Sequence, residues 1–177
     1  MGASNALSAA RAALSQPGVR FAGRFAGLSG LLLGLYYFPH AGGAEEGIDR
    51  FLCFYARVAG AVLRLFEPGL VVEGRTIIGR FSLQIAKTCD AMDVTILLAS
   101  AIVAWPTRWR RRIAAALAGC ALVFVTNVVR ICSLYYVGVH ALSSFDFIHL
   151  ELWPALILLI AVGFFWFYVG RPQARPA

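Results

Sequence analysis

The stretch Lys87-Thr88-Cys89-Asp90-Ala91-Met92-Asp93 sets a thiol among a lysine and two carboxylates, just ahead of the apolar run Val94 to Trp105. A cysteine at the entrance of a helix lies beside exposed N–H groups, which favour the nucleophilic thiolate. Two other segments carry complementary chemistry: Arg130 follows Asn127 by one helical turn late in a second apolar run, and His149 opens a third. A histidine within hydrogen-bond reach of the sulfur can carry a proton to a leaving amine. A guanidinium, permanently charged and forked, can hold an oxyanion or a substrate carboxylate. Asn127 shares the Arg130 face and can orient either Arg130 or a substrate. His140 is the second candidate for the base. Taken singly, Arg130 reads as a snorkelling interfacial residue, His149 as an interface histidine and Cys89 as an inert thiol. Asp90 and Asp93 would repel a thiolate if they faced it.

The remaining cysteines, Cys53, Cys120 and Cys132, lie inside apolar runs, where a thiol is a small buried side chain. With no C-x-x-C pair, the sequence offers neither a disulfide framework nor a dithiol redox centre.

Positioning these residues falls to a membrane protein. The chain of 177 residues is 60% hydrophobic and 14% charged, against roughly 25% charged in a soluble domain. The net charge of +7 is almost entirely arginine, Lys87 being the only lysine. Most of those arginines flank apolar runs, as at cytoplasmic helix edges and not as in a nucleic-acid surface.

Residues 1–20 read as a cytoplasmic tail, with Pro17-Gly18 breaking any helix, and residues 21–177 as a single membrane-embedded domain. Phe21 to Phe38 is a retained anchor; a cleaved signal peptide is the rival, because small residues follow at Ala41 to Ala44. At ~1.5 Å per residue the anchor covers about 27 Å, near the hydrocarbon thickness. Phe51 to Phe66 carries Arg57 and Arg64 on one helical face. It either lies at the surface with its arginines to water or spans with them facing the bundle. Leu70 to Ile85 holds short strand patterns around Gly74, read as a small extracytoplasmic hairpin before Cys89.

Ala91 to Pro106 is the next span, closed by Arg108, Arg110, Arg111 and Arg112, a cytoplasmic loop by the positive-inside rule. Ile113 to Asn127 returns, Val128 to Leu142 extends or bends that helix, and Ser143 to Asp146 breaks it. Leu150 to Val169 is the last span, with Arg171 and Arg175 placing the C-terminus in the cytoplasm. Matching these charge signals takes an even number of crossings between the tail and the Arg108–Arg112 loop. The fold class is therefore all-α and polytopic, four full spans with the Phe51–Phe66 helix interfacial, or five if that helix crosses. In this topology Cys89, Arg130 and His149 arrive from three segments at the outer face.

These residues resemble the exosortase/archaeosortase family of membrane cysteine transpeptidases. The resemblance rests on Cys89 before a span, Asn127-Val128-Val129-Arg130-Ile131 ending the next, His149 opening the following one, and Trp105-Pro106 with the arginine loop between. It covers about residues 70–169, and the length suits a short member of the exosortase H type. Many members follow the cysteine with Ser or Thr and then Gly, where this chain has Asp90-Ala91, a departure bearing on subtype and substrate preference. The resemblance implies that Cys89 attacks a peptide bond in the C-terminal sorting signal of a secreted, membrane-anchored protein. It implies that Arg130 holds the oxyanion, that His149 is the acid or base, and that no metal or organic cofactor takes part. The setting would be a prokaryotic inner membrane, with the site extracytoplasmic and the bilayer as the other partner. The alternative is a non-enzymatic assembly or transport component whose polar residues line an interior pathway.

Overall fold

The computed structural model describes residues 16–38 and 42–171. Most of the expected tail, the Ala41 cleavage-site residue and Arg175 lie outside the described residues. Helix α1 (Pro17–Tyr37) begins within the expected tail, and Pro17 stands in its first turn. The reading of Pro17-Gly18 as a breaker is thereby corrected. At the first helical positions a proline's fixed φ is already helical and its missing N–H would have no partner.

Helix α2 (Gly42–Arg64) starts at Gly42 and not at Phe51. Its hydrophilic first turns are held by an exposed Glu46–Arg50 pair one turn apart, at 2.7 Å. One face buries Leu52, Tyr55, Ala56, Ala59 and Leu63. Arg50, Arg57 and Arg64, seven residues apart, are exposed. The alternative with arginines facing the bundle is therefore not what forms.

The strand region is a three-stranded antiparallel meander in place of the expected hairpin. Strands β1 (Val71–Glu73), β2 (Thr76–Ile78) and β3 (Ser82–Gln84) lie in that order, with Ile77 opposite both Val72 and Leu83. A lone two-stranded ribbon is marginal in water; here the third strand and the helices behind it supply what the pair lacks. Gly74 provides the positive φ of the first turn. Leu70, Ile77 and Ile85 fill a core with α2 and the C-terminal half of helix α4 (Trp109–His140). The Tyr135 hydroxyl of α4 accepts from the Arg80 N–H at 2.9 Å. Gly138 leaves room for the Phe81 ring, which a Cβ there would meet at 2.5 Å.

A 3₁₀ turn, Lys87–Cys89, leads into helix α3 (Met92–Ala104). Helix α4 is continuous for 32 residues, so Val128 to His140 extends the helix, with no proline to interrupt it, and Leu142 lies beyond its end. At 1.5 Å per residue it is about 48 Å long, more than the hydrocarbon layer needs, and its surplus carries the sheet. After a 3₁₀ turn at Leu142–Ser144 the chain is helical again, through a π-helical turn at Ile148–Leu152, into helix α5 (Trp153–Gly170). The break at Ser143 is thus shorter than expected and the last apolar helix begins earlier.

The arginine loop also closes helix ends. Arg112 donates to the Trp105 carbonyl at 3.1 Å, and Arg111 to the Tyr168 and Arg171 carbonyls at 2.7 and 3.2 Å. Cations there complement the negative ends of α3 and α5.

Helix α4 and the segment Leu142–Gly170 are long and apolar enough to cross a membrane. Helix α3, at 13 residues, is about 20 Å long, short of a full crossing by itself. Large apolar side chains such as Leu117, Val125, Leu159 and Trp166 face outward, a surface suited to lipid. A second core joins Leu98 and Ile102 of α3, Val123 of α4 and Ile157 and Ala161 of α5. Cys89 packs against the first core, and Ala91 and Trp153 against the second, so the loop after the sheet lies on the seam.

Candidate active site

Three of the residues singled out by type and spacing meet on that seam. The Cys89 sulfur lies 3.6 Å from His149 Nε2, within the longer reach of a sulfur hydrogen bond. Arg130 Nη2 donates to the His149 carbonyl at 3.1 Å and lies 3.5 Å from the ring Nδ1. The latter distance is too long to fix the ring's tautomer. With the hydrogen on Nδ1, Nε2 is free to accept from the thiol. Arg130 is only 4% exposed, and its Nε–H is buried with no protein acceptor. An unpaired donor on a buried cation beside a nucleophile is what a developing oxyanion needs.

Asn127 has a different task from the one expected. Its Nδ2 donates to the Cys89 carbonyl at 2.9 Å and not to Arg130. From one face of α4, Asn127 holds the Cys89 backbone and Arg130 holds the histidine. His140, the second candidate base, is exposed at the end of α4 and has no hydrogen bond to Cys89 among the described residues.

The helix N–H groups expected beside the sulfur are partly spoken for. Asp90 Oδ1 accepts from the Met92 N–H at 2.9 Å, capping α3 from two residues away. Its other oxygen accepts from the Tyr36 hydroxyl, and the Tyr37 hydroxyl donates to both Asp93 oxygens at 2.7 and 2.8 Å. Both aspartates therefore turn toward α1. Burial pushes the Asp90 carboxyl above its ordinary range, with the Tyr36 and Met92 hydrogen bonds pulling the other way. Tyr36 and Tyr37 were not identified from sequence as site residues; the one signal was their place at the end of an apolar run, at the depth of Cys89.

Ala91 has φ +54° and ψ +23°, the left-handed region, at the N-cap of α3. This is the position where the resemblance leads one to expect glycine. A Cβ in that conformation costs roughly 1–2 kcal/mol. Ala91→Gly is therefore expected to stabilise the protein by about 0.5–1 kcal/mol, part of the relief being offset by the freer unfolded chain. The check is the thermal midpoint in detergent, which should rise; a fall would show that the Ala91 methyl contributes more by packing than its conformation costs.

A cavity of about 90 Å³ opens beside these groups, lined by Lys87, Thr88, Asp90, Arg130, Pro154 and Ile157 among others. No cluster of three or more His, Cys, Asp or Glu able to hold a metal ion occurs among the described residues.

The family model for transmembrane exosortases matches residues 31–166. The chain belongs to the transmembrane exosortase family. That match runs from the second half of α1 to α5, and so takes in the whole of the exosortase site described above, including the tyrosines of α1. The resemblance drawn from residues 70–169 thus extends further toward the N-terminus. Exosortases are membrane transpeptidases. Neither a curated protein nor a solved structure matches this chain.

Proposed function

We propose that this exosortase is a membrane cysteine transpeptidase that cleaves the C-terminal sorting signal of secreted proteins through an acyl-enzyme on Cys89. The observation that carries the reading is that Cys89 and Arg130, from separate segments, both meet His149, the sulfur at 3.6 Å from Nε2 and the guanidinium at 3.1 Å from the carbonyl. The thiol proton passes to His149 Nε2 as the sulfur attacks the scissile carbonyl. Arg130 receives the oxyanion, and the imidazolium gives up its proton to the leaving amine. An amine or water then resolves the thioester, with Nε2 taking up the proton of the attacking group.

In this reading α1, α4 and α5 cross the inner membrane of a prokaryote, the shorter α3 completes its span with the flanking residues up to Pro106, and α2 lies at the surface with Arg50, Arg57 and Arg64 to water. Both termini are cytoplasmic and the site is extracytoplasmic. A substrate held by its own apolar helix arrives confined to the depth of the sulfur, which lowers the entropic cost of the encounter. The outward arginines of α2 also count against the transport alternative, which needs charges along an interior path.

The test is to trap the intermediate. Membranes containing the full-length protein are incubated with a secreted protein ending in a short motif, an apolar helix and a basic tail. Hydroxylamine should divert the product to a C-terminal hydroxamate and release an adduct mapped to Cys89. Cleavage with no hydroxylamine-sensitive adduct would sink the thioester route.

A further inference from the structure

The guanidinium of Arg130 is anchored by a carbonyl that an ordinary helix would not leave free. In an α-helix the His149 carbonyl accepts from the Trp153 N–H, four residues on. Here the Trp153 N–H bonds the Ile148 carbonyl, five residues back, in the π-helical turn Ile148–Leu152. In the π register the donor to His149 would be residue 154, and residue 154 is proline, which has no N–H. The wide turn removes the first donor and Pro154 removes the second. What remains is an exposed lone pair within 3.1 Å of Arg130 Nη2. Proline also accounts for the wide turn, since in an α register its ring collides with the carbonyl four residues back, that of Leu150. Single π turns of this kind are concentrated at functional sites.

We infer that Pro154 is a positioning residue of the active site: by withholding an N–H and forcing the π turn, it reserves the His149 carbonyl for Arg130. The inference rests on the cysteine transpeptidase reading and adds to it how Arg130 is held. Through that contact one short segment sets both the imidazole, 3.6 Å from the sulfur, and the guanidinium beside it. Pro154 also lines the small cavity shared with Arg130 and Asp90. Once residue 154 can donate, or the turn relaxes so that Trp153 can, the carbonyl is satisfied within the helix and Arg130 loses its acceptor.

The test compares Pro154→Ala with the chain carrying the α-hydroxy acid analogue of alanine at position 154, which lacks both the ring and the N–H. Two readouts are taken on the full-length protein: kcat and KM for sorting-signal cleavage, and the rate of Cys89 alkylation by iodoacetamide at pH 7, followed by peptide mapping. Pro154→Ala is expected to lower kcat about 100-fold with KM little changed, as for a group displaced by about 1 Å, and to slow Cys89 alkylation about ten-fold, since the imidazole 3.6 Å from the sulfur shifts as the turn relaxes. The hydroxy-acid chain should recover most of both. Wild-type kcat and alkylation in Pro154→Ala would overturn the inference. Equal losses in the two chains would overturn it as well, because ring packing and not the missing donor would then be responsible. If Pro154→Ala does not fold, the hydroxy-acid chain decides alone, near-wild-type behaviour supporting the inference and loss rejecting it. The underlying reading fails separately, when cleavage proceeds without Cys89.

Discussion

Cys89→Ala is expected to abolish sorting-signal cleavage, with a loss in kcat of at least about 10⁴-fold, the scale found when a covalent nucleophile is removed. The remaining machinery has no second sulfur to substitute. Cys132 packs against the first core, Cys53 lies on α2, and Cys120 stands ten residues before Arg130 on α4, about 15 Å along the axis. Cys89→Ser should be almost as inactive, because a hydroxyl ionises far less readily than a thiol and no carboxylate among the described residues hydrogen-bonds His149. Folding should be spared. The sulfur's polar contacts are long, 3.6 Å to His149 and 3.9 Å to Thr88, and the backbone carbonyl held by Asn127 is unchanged. Both variants should therefore accumulate to wild-type levels. The measurement is the ratio of precursor to mature substrate by immunoblot. Processing by Cys89→Ala at a rate comparable with wild type would remove Cys89 from the mechanism.

Arg130→Lys carries the second large effect. The substitution keeps the charge and loses the fork. A guanidinium reaches the His149 carbonyl through one nitrogen and keeps Nε–H for the oxyanion; a lysine ammonium is a single point at the end of a flexible stem. Loss of one preorganised oxyanion donor lowers kcat by about 10²–10³-fold, and KM should change little because the contact is made mainly in the transition state. Stability should also fall, by about 1–3 kcal/mol, as a buried cation loses acceptors it cannot regain from water. Measured kcat and KM, with the thermal midpoint in detergent, separate the two effects. A variant equally unstable but fully active would show that Arg130 is structural only.

The site and the fold were legible to different degrees. Cys89, Arg130 and His149 could be named because each breaks a long apolar run, and a charge or thiol at such a boundary stands out locally. Their common depth followed from counting residues along helices. The change of role for Asn127 was not legible: a helical face says which residues share a side, not that the Cys89 backbone, 38 positions away, comes to rest on it. Nor was the service of Tyr36 to Asp90, a contact across 54 positions. Pro17 misled because a proline reads alike as a breaker or as a first helical residue until the helix direction is known. The third strand's pairing with β2 was not legible because alternation says that a segment is a strand and not which strand it meets.

By itself, then, the sequence determined what is local or one-dimensional: the membrane class from composition, the apolar helices from run length, and the candidate residues from their polarity at helix ends. Tertiary structure alone decided what depends on distance between segments. It turned Asp90 and Asp93 toward α1, set the sulfur against His149 Nε2, and freed the His149 carbonyl for Arg130 by a π turn that no periodicity announces. The physical reason is that hydrophobicity acts along the chain without direction. A hydrogen bond needs two particular atoms within about 3 Å, and their meeting depends on how every element between them packs.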